Sequence, residues 1–411
     1  MSRETLRLLR ARPAFARLWL AEVISLGGDW FTLIALAVVV SRATSGSGLA
    51  VSSLLVTQLL PMAVLGPFSG VLVDRFDRRT LLILSDVVRV VLVLLFIPAA
   101  LSGRIALLYV LTFLHFSVAT IFEPGRSALL PSLVEDAELV RASTLSSVTW
   151  SVMVALGGIA GGALLAAVGV KAAFAVDALS FAASASLIAS IPRAPGRPHG
   201  SAGAGAVRLA DGFRFMREFP VTGAVAFVKA INGLAPVDTF MVLYATRLFA
   251  GADQGASSLG LLYGSFGLGA ILGPLLLNAL NDGTTRRMRR FVSVGSGFLS
   301  CALLALACAE TLGLACFAVL LRGVGGSTNW TFSTILLQKS VPDRLRGRVF
   351  AIELSASHVA FIACSLSWGY FVDRLGLRPV VLLAAAVSLL PGLAWTASLG
   401  WMDRHEAAAA G

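Results

Sequence analysis

Apolar runs of about 20 residues recur along this chain from Leu18 to Trp401. At 1.5 Å per residue such a run carries a helix across a hydrocarbon core roughly 30 Å thick. Of 411 residues, 57% are hydrophobic and 13% charged, about half the charge of a soluble domain, and the mean hydropathy is +0.85. No stretch of ordinary composition is left for a soluble domain. The first run, 18–40, is too long for the core of a cleaved signal peptide and is expected to stay as a helix.

Twelve helical spans are predicted, at 18–40, 49–72, 81–101, 105–122, 145–168, 172–191, 221–243, 259–280, 291–309, 312–337, 349–371 and 379–399. With the N-terminus inside, 24 of the 33 Lys and Arg residues fall on the inner side, 6 outside and 3 within spans. This bias predicts a multi-pass protein of an inner or plasma membrane with both termini cytoplasmic. It also accounts for the net charge of +11, so no nucleic acid is expected as a partner. The four cysteines, Cys301, Cys308, Cys316 and Cys364, lie in apolar runs without metal-ligand spacing and are read as packing residues. No metal, cofactor or catalytic constellation is found, and an enzyme is not expected.

The predicted organisation is two halves of six helices, 1–191 and 220–402, with a linker at 192–219 and a cytoplasmic tail at 403–411. Pro, Gly, Ala and Ser dominate 192–206. Over 207–219, Leu209, Phe213, Met216 and Phe219 share one helical side, interleaved with Arg208, Arg214 and Arg217, a pattern suited to the inner membrane surface. A shift of 207 residues relates the halves. It carries Gly66-Pro67 onto Gly273-Pro274, Arg79 onto Arg286, Val134 onto Val341, Arg141 onto Arg348 and Gly169 onto Gly376.

Ionisable groups at membrane depth are costly and each needs a reason. Glu22 and Asp29 stand seven apart on one face of span one, and the repeat carries them onto Lys229 and Pro236 in span seven, with Asp238 close by and Asn232 adding to the polar set. One reading is structural, an interhelical pair such as Glu22 with Lys229. The other is a carboxylate that takes a proton on one side and releases it on the other, with Asp29 the first candidate and Glu22 the second. Gly27-Gly28 permits close approach beside Asp29. Asp86 and Arg89, an i, i+3 pair, are expected to bind each other or the loop before them. Pro124 is expected to kink or end span four. Arg322, ahead of Gly323, Gly325 and Gly326, either meets an anionic substrate or answers Asp238 or Glu353. Trp30, Trp330 and Glu353 complete the candidates for a substrate cavity, and His358 is read as a packing histidine.

Between spans two and three the chain reads Gly70-Val71-Leu72-Val73-Asp74-Arg75-Phe76-Asp77-Arg78-Arg79. This resembles the loop joining helices 2 and 3 in the major facilitator superfamily of secondary transporters. Ser25-Leu26-Gly27-Gly28-Asp29-Trp30, the run from Pro124 to Pro131, and Val341-Pro342-Asp343-Arg344-Leu345-Arg346-Gly347-Arg348 look like its macrolide-efflux and enterobactin-exporter branch. Gly157, Gly158, Gly161 and Gly162 resemble the superfamily's antiporter motif, with Gly158 in place of its proline, and equally suit close helix packing. The resemblance implies an all-α fold of two pseudo-symmetric six-helix halves and a monomer. It also implies proton-coupled export of a small amphipathic substrate by alternating access. A cytoplasmic gate is expected from Gly70, Asp74, Arg75, Arg78, Arg79, Asp86, Arg89 and Arg348. The family's basic residue low in span four has no clear match, His115 being the nearby group. The same fold also supports a lysophospholipid transporter, and a non-transporting scaffold ranks below both.

Overall fold

The computed structural model describes residues 3–192 and 209–410, all in helices and short connections with no strand among the described residues. A short helix α1 (Arg3–Ala11) leads into α2 (Pro13–Ala43), α3 (Gly48–Arg75), α4 (Arg78–Leu101), α5 (Ile105–Leu129) and α6 (Asp136–Ala189). Beyond the linker come α7 (Leu209–Glu218), α8 (Pro220–Ala226), α9 (Val228–Leu234) and α10 (Val237–Leu243). A π-helical turn, Tyr244–Leu248, precedes α11 (Ala256–Ala279), α12 (Thr285–Ala307), α13 (Leu312–Ser340), α14 (Asp343–Leu375) and α15 (Leu377–Ala410).

Among the described residues, ten helical segments are long and apolar enough to cross a membrane. The twelve expected spans map onto the helices in order: spans five and six both lie in α6, and α13, a continuous helix outside those ten, stands at span ten. Span seven is broken into α8, α9 and α10. Exposed side chains confirm lipid as the surroundings. Along α4, Leu84, Val87, Val91, Leu94 and Leu95 form an exposed stripe at helical spacing, whereas Ser85, Asp86 and Arg89 are buried on the other side. That is the reverse of a soluble amphipathic helix. Polar atoms turn inward because hydrocarbon offers them no partner.

Two compact units divide the chain. One comprises Met1–Gly46, Leu54–Ala202 and Tyr244–Gly264, the other Ser47–Ser53, Gly203–Leu243 and Ser265–Gly411. In the first unit, α2 runs along α6, and α4 packs on α5 and α6. In the second, α12 packs on α13 and α15, and α9 lies on α14. Small segments trade places relative to a simple cut at the linker for local reasons. Asp373 accepts from the backbone N–H groups of Gly48 and Leu49 at 2.7 and 3.0 Å, holding the start of α3 in the second unit. Gly158 and Gly162 of α6 meet Tyr263 and Gly260 at the start of α11, which therefore belongs with the first.

The 207-residue repeat is written into the backbone. Gly169 breaks α6 at φ 77°, ψ 175°, and Gly376 ends α14 at φ 89°, ψ 162°, a region essentially restricted to glycine. The N-caps match as well. Asp77 accepts from the N–H of Thr80, and Thr284, 207 residues on, from that of Arg287.

Several expectations are corrected. Pro124 lies inside α5, which continues to Leu129. Helix α15 runs on to Ala410, through residues expected as the tail, and Asp403 there pairs with Arg286 at 2.9 Å and Arg289 at 3.0 Å. Of the four cysteines, Cys301 and Cys308 are exposed. Of the expected apolar side over 207–219, Met216 in α7 is buried, while Phe213 in α7 and Phe219 just beyond it are exposed. Residues 193–208 of the linker lie outside the described residues, and of Gly70 and Asp74 of the expected gate only the backbone, within α3, is described.

Candidate functional site

The first unit holds a buried charge cluster assembled from four helices. Asp29 comes from α2, Asp86 and Arg89 from α4, His115 from α5 and Asp177 from α6. Arg89 Nη2 lies 2.5 Å from Asp29 Oδ1, Arg89 Nη1 is 3.7 Å from Asp86 Oδ1, and His115 Nε2 is 3.4 Å from Asp29 Oδ1. The Ser184 hydroxyl donates to Asp86 at 2.5 Å. The Arg89 guanidinium also lies 3.8 Å over the Phe181 ring, and His115 sits among Phe96, Phe116 and Phe181. A guanidinium removed from water is tolerable only when paired and bonded in this way. The Asp29 side chain keeps 31% of its exposure against 3% for Arg89, so the carboxylate remains reachable while its cation is not.

Gly28 explains why α2 can bring Asp29 here. A Cβ at this position would overlap Ser180 Oγ and Asp177 Oδ1, so the close approach anticipated beside Asp29 is to α6. Gly27 has open space around it. Asp86 and Arg89 do bind each other, as anticipated, but they belong with Asp29 and His115 and not with Arg75, Arg78 and Arg79. Asp177 went unrecognised in the sequence, although a single acid in the apolar run 172–191 is the same signal that marked Asp29.

Glu22 is answered by Arg126 and not by Lys229. Arg126 Nε lies 3.5 Å from Glu22 Oε1, and Ser146 bridges the two, accepting from Arg126 at 2.9 Å and donating to Glu22 at 2.9 Å. Glu123 takes the other side of Arg126 at 2.5 Å. Reading span four as ending at Phe122 had placed Arg126 in a loop; continuation of α5 through Pro124 turns it inward.

In the second unit Lys229 Nζ lies 3.1 Å from Glu353 Oε2, 4.3 Å over the Trp330 ring and 5.7 Å from that of Phe350. Lys229 and Glu353 are buried, and Trp330 is 46% exposed. Arg322 is buried and makes no described ion pair with Glu353, while Asp238, the other acid expected of it, acts on it electrostatically. Its Nη2 donates to the carbonyls of Asn232 at 2.9 Å and Ala235 at 3.3 Å, the groups that the break after α9 leaves without helical partners. Asn232 Nδ2 in turn donates to Gly326 O at 3.1 Å. Asp238 lies in the first turn of α10, just past the break. A discontinuous helix at membrane depth with a cation on its freed carbonyls is a construction that transporters place beside their substrate paths.

The basic loop residues serve helix ends. Arg78 donates to Ala128 O at 2.9 Å and Arg79 to Ile188 O at 3.2 Å and to Ala189 O, so they cover the last carbonyls of α5 and α6. Arg75 is exposed, and Arg348 donates to Arg344 O in its own helix at 2.6 Å. The glycines of α6 are a packing surface: Gly157 and Gly161 face Trp30, and Gly158 and Gly162 face the start of α11. Trp30 meets Tyr263 edge to face at 5.1 Å.

Helices of this number and hydropathy, with paired charges buried within them, define a multi-pass membrane protein. The chain belongs to the family of transmembrane secretion effectors, whose profile matches residues 7–409. It is 27% identical over 404 residues to the uncharacterized MFS-type transporter YfiS of Bacillus subtilis, covering 94% of this chain and 93% of that one. It is 26% identical over 354 residues to the enterobactin exporter EntS of Salmonella choleraesuis, covering 84% and 82%. Among solved structures, the nucleoside transporter NupG superposes with a TM-score of 0.72 at 13% identity, covering 93% of this chain and 98% of that one. A bacterial homologue of the iron transporter ferroportin, in its inward-facing state, gives 0.72 at 15%, covering 93% and 98%. These structural likenesses bear on the fold. The chain is thus a multi-pass membrane transporter of small molecules and not an enzyme.

Proposed function

We propose that this transporter exports small amphipathic compounds in exchange for protons by alternating access, with Asp29 as the coupling carboxylate. The observation that carries the reading is the Asp29–Arg89 pair, in which a reachable carboxylate holds a buried guanidinium. When Asp29 is ionised it ties α2 to α4. When it takes a proton, Arg89 loses its nearest counter-charge and is left with Asp86. Protonation thereby favours a different packing of the two helices, the differential interaction that a coupled conformational change requires. Glu22 ranks second because Arg126 and Ser146 already satisfy it. His115 takes the supporting place beside the carboxylate.

An organic amphipathic cargo is favoured by the likeness to an enterobactin exporter and by Trp330 exposed beside Lys229. Lys229, Asn232, Asp238, Arg322 and Glu353 are the proposed surroundings of the substrate path in the second unit, with Trp30 in the first. The proposed gate comprises Gly70, Asp74, Arg75, Arg78, Arg79 and Arg348. Both termini are assigned to the cytoplasm and the protein to the cell membrane, from the distribution of basic residues.

The test is acidification in proteoliposomes loaded with a pH dye and challenged with macrolides, catechol siderophores, cationic dyes and lysophospholipids. Substrate-evoked proton movement, lost in Asp29→Asn with folding intact, is expected. Substrate movement without protons overturns the coupling, and lysophospholipid movement alone transfers the protein to the lipid-transporter reading.

A further inference from the structure

The cluster around Asp29 holds more negative groups than its cations can answer. Three carboxylates, Asp29, Asp86 and Asp177, face one guanidinium, Arg89, and one imidazole, His115. Even with His115 charged, one negative charge is left over. With His115 neutral, two are left. An uncompensated charge at this depth is too costly to persist, and a buried acid escapes the cost by holding a proton.

Geometry says which acid. Asp29 is reachable and paired at 2.5 Å. Asp86 is fully buried with Arg89 at 3.7 Å. Asp177 is fully buried, and no described ion pair reaches it. Its described partners are neutral hydroxyls, Thr32 on α2 and Ser180 at 3.2 Å on its own helix. Asp177 Oδ1 stands against Gly28, the neighbour of Asp29, and Thr32 lies three residues beyond Asp29 on the same helix.

We propose that Asp177 is a resident carboxylic acid and the second exchangeable proton site of this transporter, beside Asp29. Thr32 and Ser180 donate to its two oxygens and fix its position without supplying a counter-charge, and the missing side chain at Gly28 keeps α2 close enough for the two acids to share one electrostatic site. When Asp29 ionises to hold Arg89, the proton stays on Asp177. When Asp29 takes a proton as well, each of the two acids holds one and Arg89 is left to Asp86. The cluster then carries up to two protons in place of one. This deepens the coupling assigned to Asp29 and rests on that reading for its role in transport; its protonation is tested separately.

The experiment is infrared spectroscopy of the purified full-length protein, following the carbonyl stretch of protonated carboxylic acids in H2O and D2O, with no substrate required. The wild type is expected to show such a band at neutral pH that is lost in Asp177→Asn, kept in Asp29→Asn, and shifted on transfer to D2O. Thr32→Val removes a hydrogen-bond partner and should move the band to higher frequency, a readout that survives if Asp177→Asn does not fold. A spectrum unchanged by Asp177→Asn and Thr32→Val overturns the proposal, and a band that never exchanges in D2O overturns the exchangeable site. A band that behaves as expected, with Asp29→Asn still moving protons in proteoliposomes, removes the coupling role of Asp29 and leaves Asp177 as the proton carrier.

Discussion

Arg89 Nη2 and Asp29 Oδ1 stand 2.5 Å apart, joining α4 to α2, and the two partners are unequal because one is accessible and the other buried. Removing the cation should therefore cost more than removing the acid. Arg89→Ala leaves Asp29 and Asp86 without their common partner, a change typically worth about 3–5 kcal/mol. The double variant Arg89→Ala/Asp29→Asn should recover part of it. Thermal unfolding of the purified protein checks this, and strictly additive effects would show that the pair is not coupled.

Glu22→Gln offers the contrasting case. It keeps a partner for Ser146 and removes a charge facing Arg126, which retains Glu123. Substrate-evoked proton movement should persist, with stability lowered by about 1–3 kcal/mol for a weakened buried hydrogen-bonded charge. Loss of proton movement with normal folding would transfer the coupling role to Glu22.

Gly169 and Gly376 occupy the same rare backbone region, and nothing lies within 4 Å of a Cβ built on Gly169. Strain and not crowding sets the outcome there. Gly169→Ala and Gly376→Ala should each destabilise by about 1–3 kcal/mol. A thermal scan showing no change in either would mean that the breaks relax freely.

Lys229 is held by Glu353 and by the face of Trp330. Lys229→Ala should destabilise strongly by leaving Glu353 buried and unpaired, and Lys229→Ala/Glu353→Gln should restore much of the loss. Trp330→Ala removes a cation–π contact worth about 0.5–2 kcal/mol. Because Trp330 is exposed, its replacement should raise the substrate concentration for half-maximal transport more than it lowers the unfolding temperature.

Asp282, in the connection before α12, is held below the usual carboxylate range, first by the Thr284 hydroxyl and backbone N–H and then by Arg287. A depressed value in the folded state stabilises above the unfolded value of about 3.9 and is lost as pH falls through the folded one. Asp282→Ala should lower the unfolding temperature at neutral pH, and the gap should close in acid. A gap independent of pH would assign the effect to capping alone.

Hydropathy and repeat arithmetic were legible along one dimension. Runs of apolar residues specify helices wherever they lie, and the 207-residue shift that pairs Gly169 with Gly376 reappears as matched backbone conformations. The capping of α4 by Asp77 recurs in α12 at Thr284, at the same shift. The break in α6 belongs here as well, since two expected spans separated at Gly169.

Partnership was not legible in this way. Glu22 and Lys229 are corresponding positions in the two copies, and pairing them followed that symmetry. Each instead found its counter-charge within its own unit, in Arg126 and Glu353. Arg322 answers backbone carbonyls exposed by a helix break, which no count of side-chain charges reveals. Asp177 acquires its meaning from Gly28, Thr32 and Arg89, brought together from distant stretches of the chain.

The sequence by itself determined that this is a membrane protein of two related sets of helices, because burial in lipid is decided by each segment's own composition and length. Only the tertiary structure decided which charges meet. At membrane depth an ion's cost depends on what lies within a few ångströms, and those neighbours are set by helix packing and not by position along the chain.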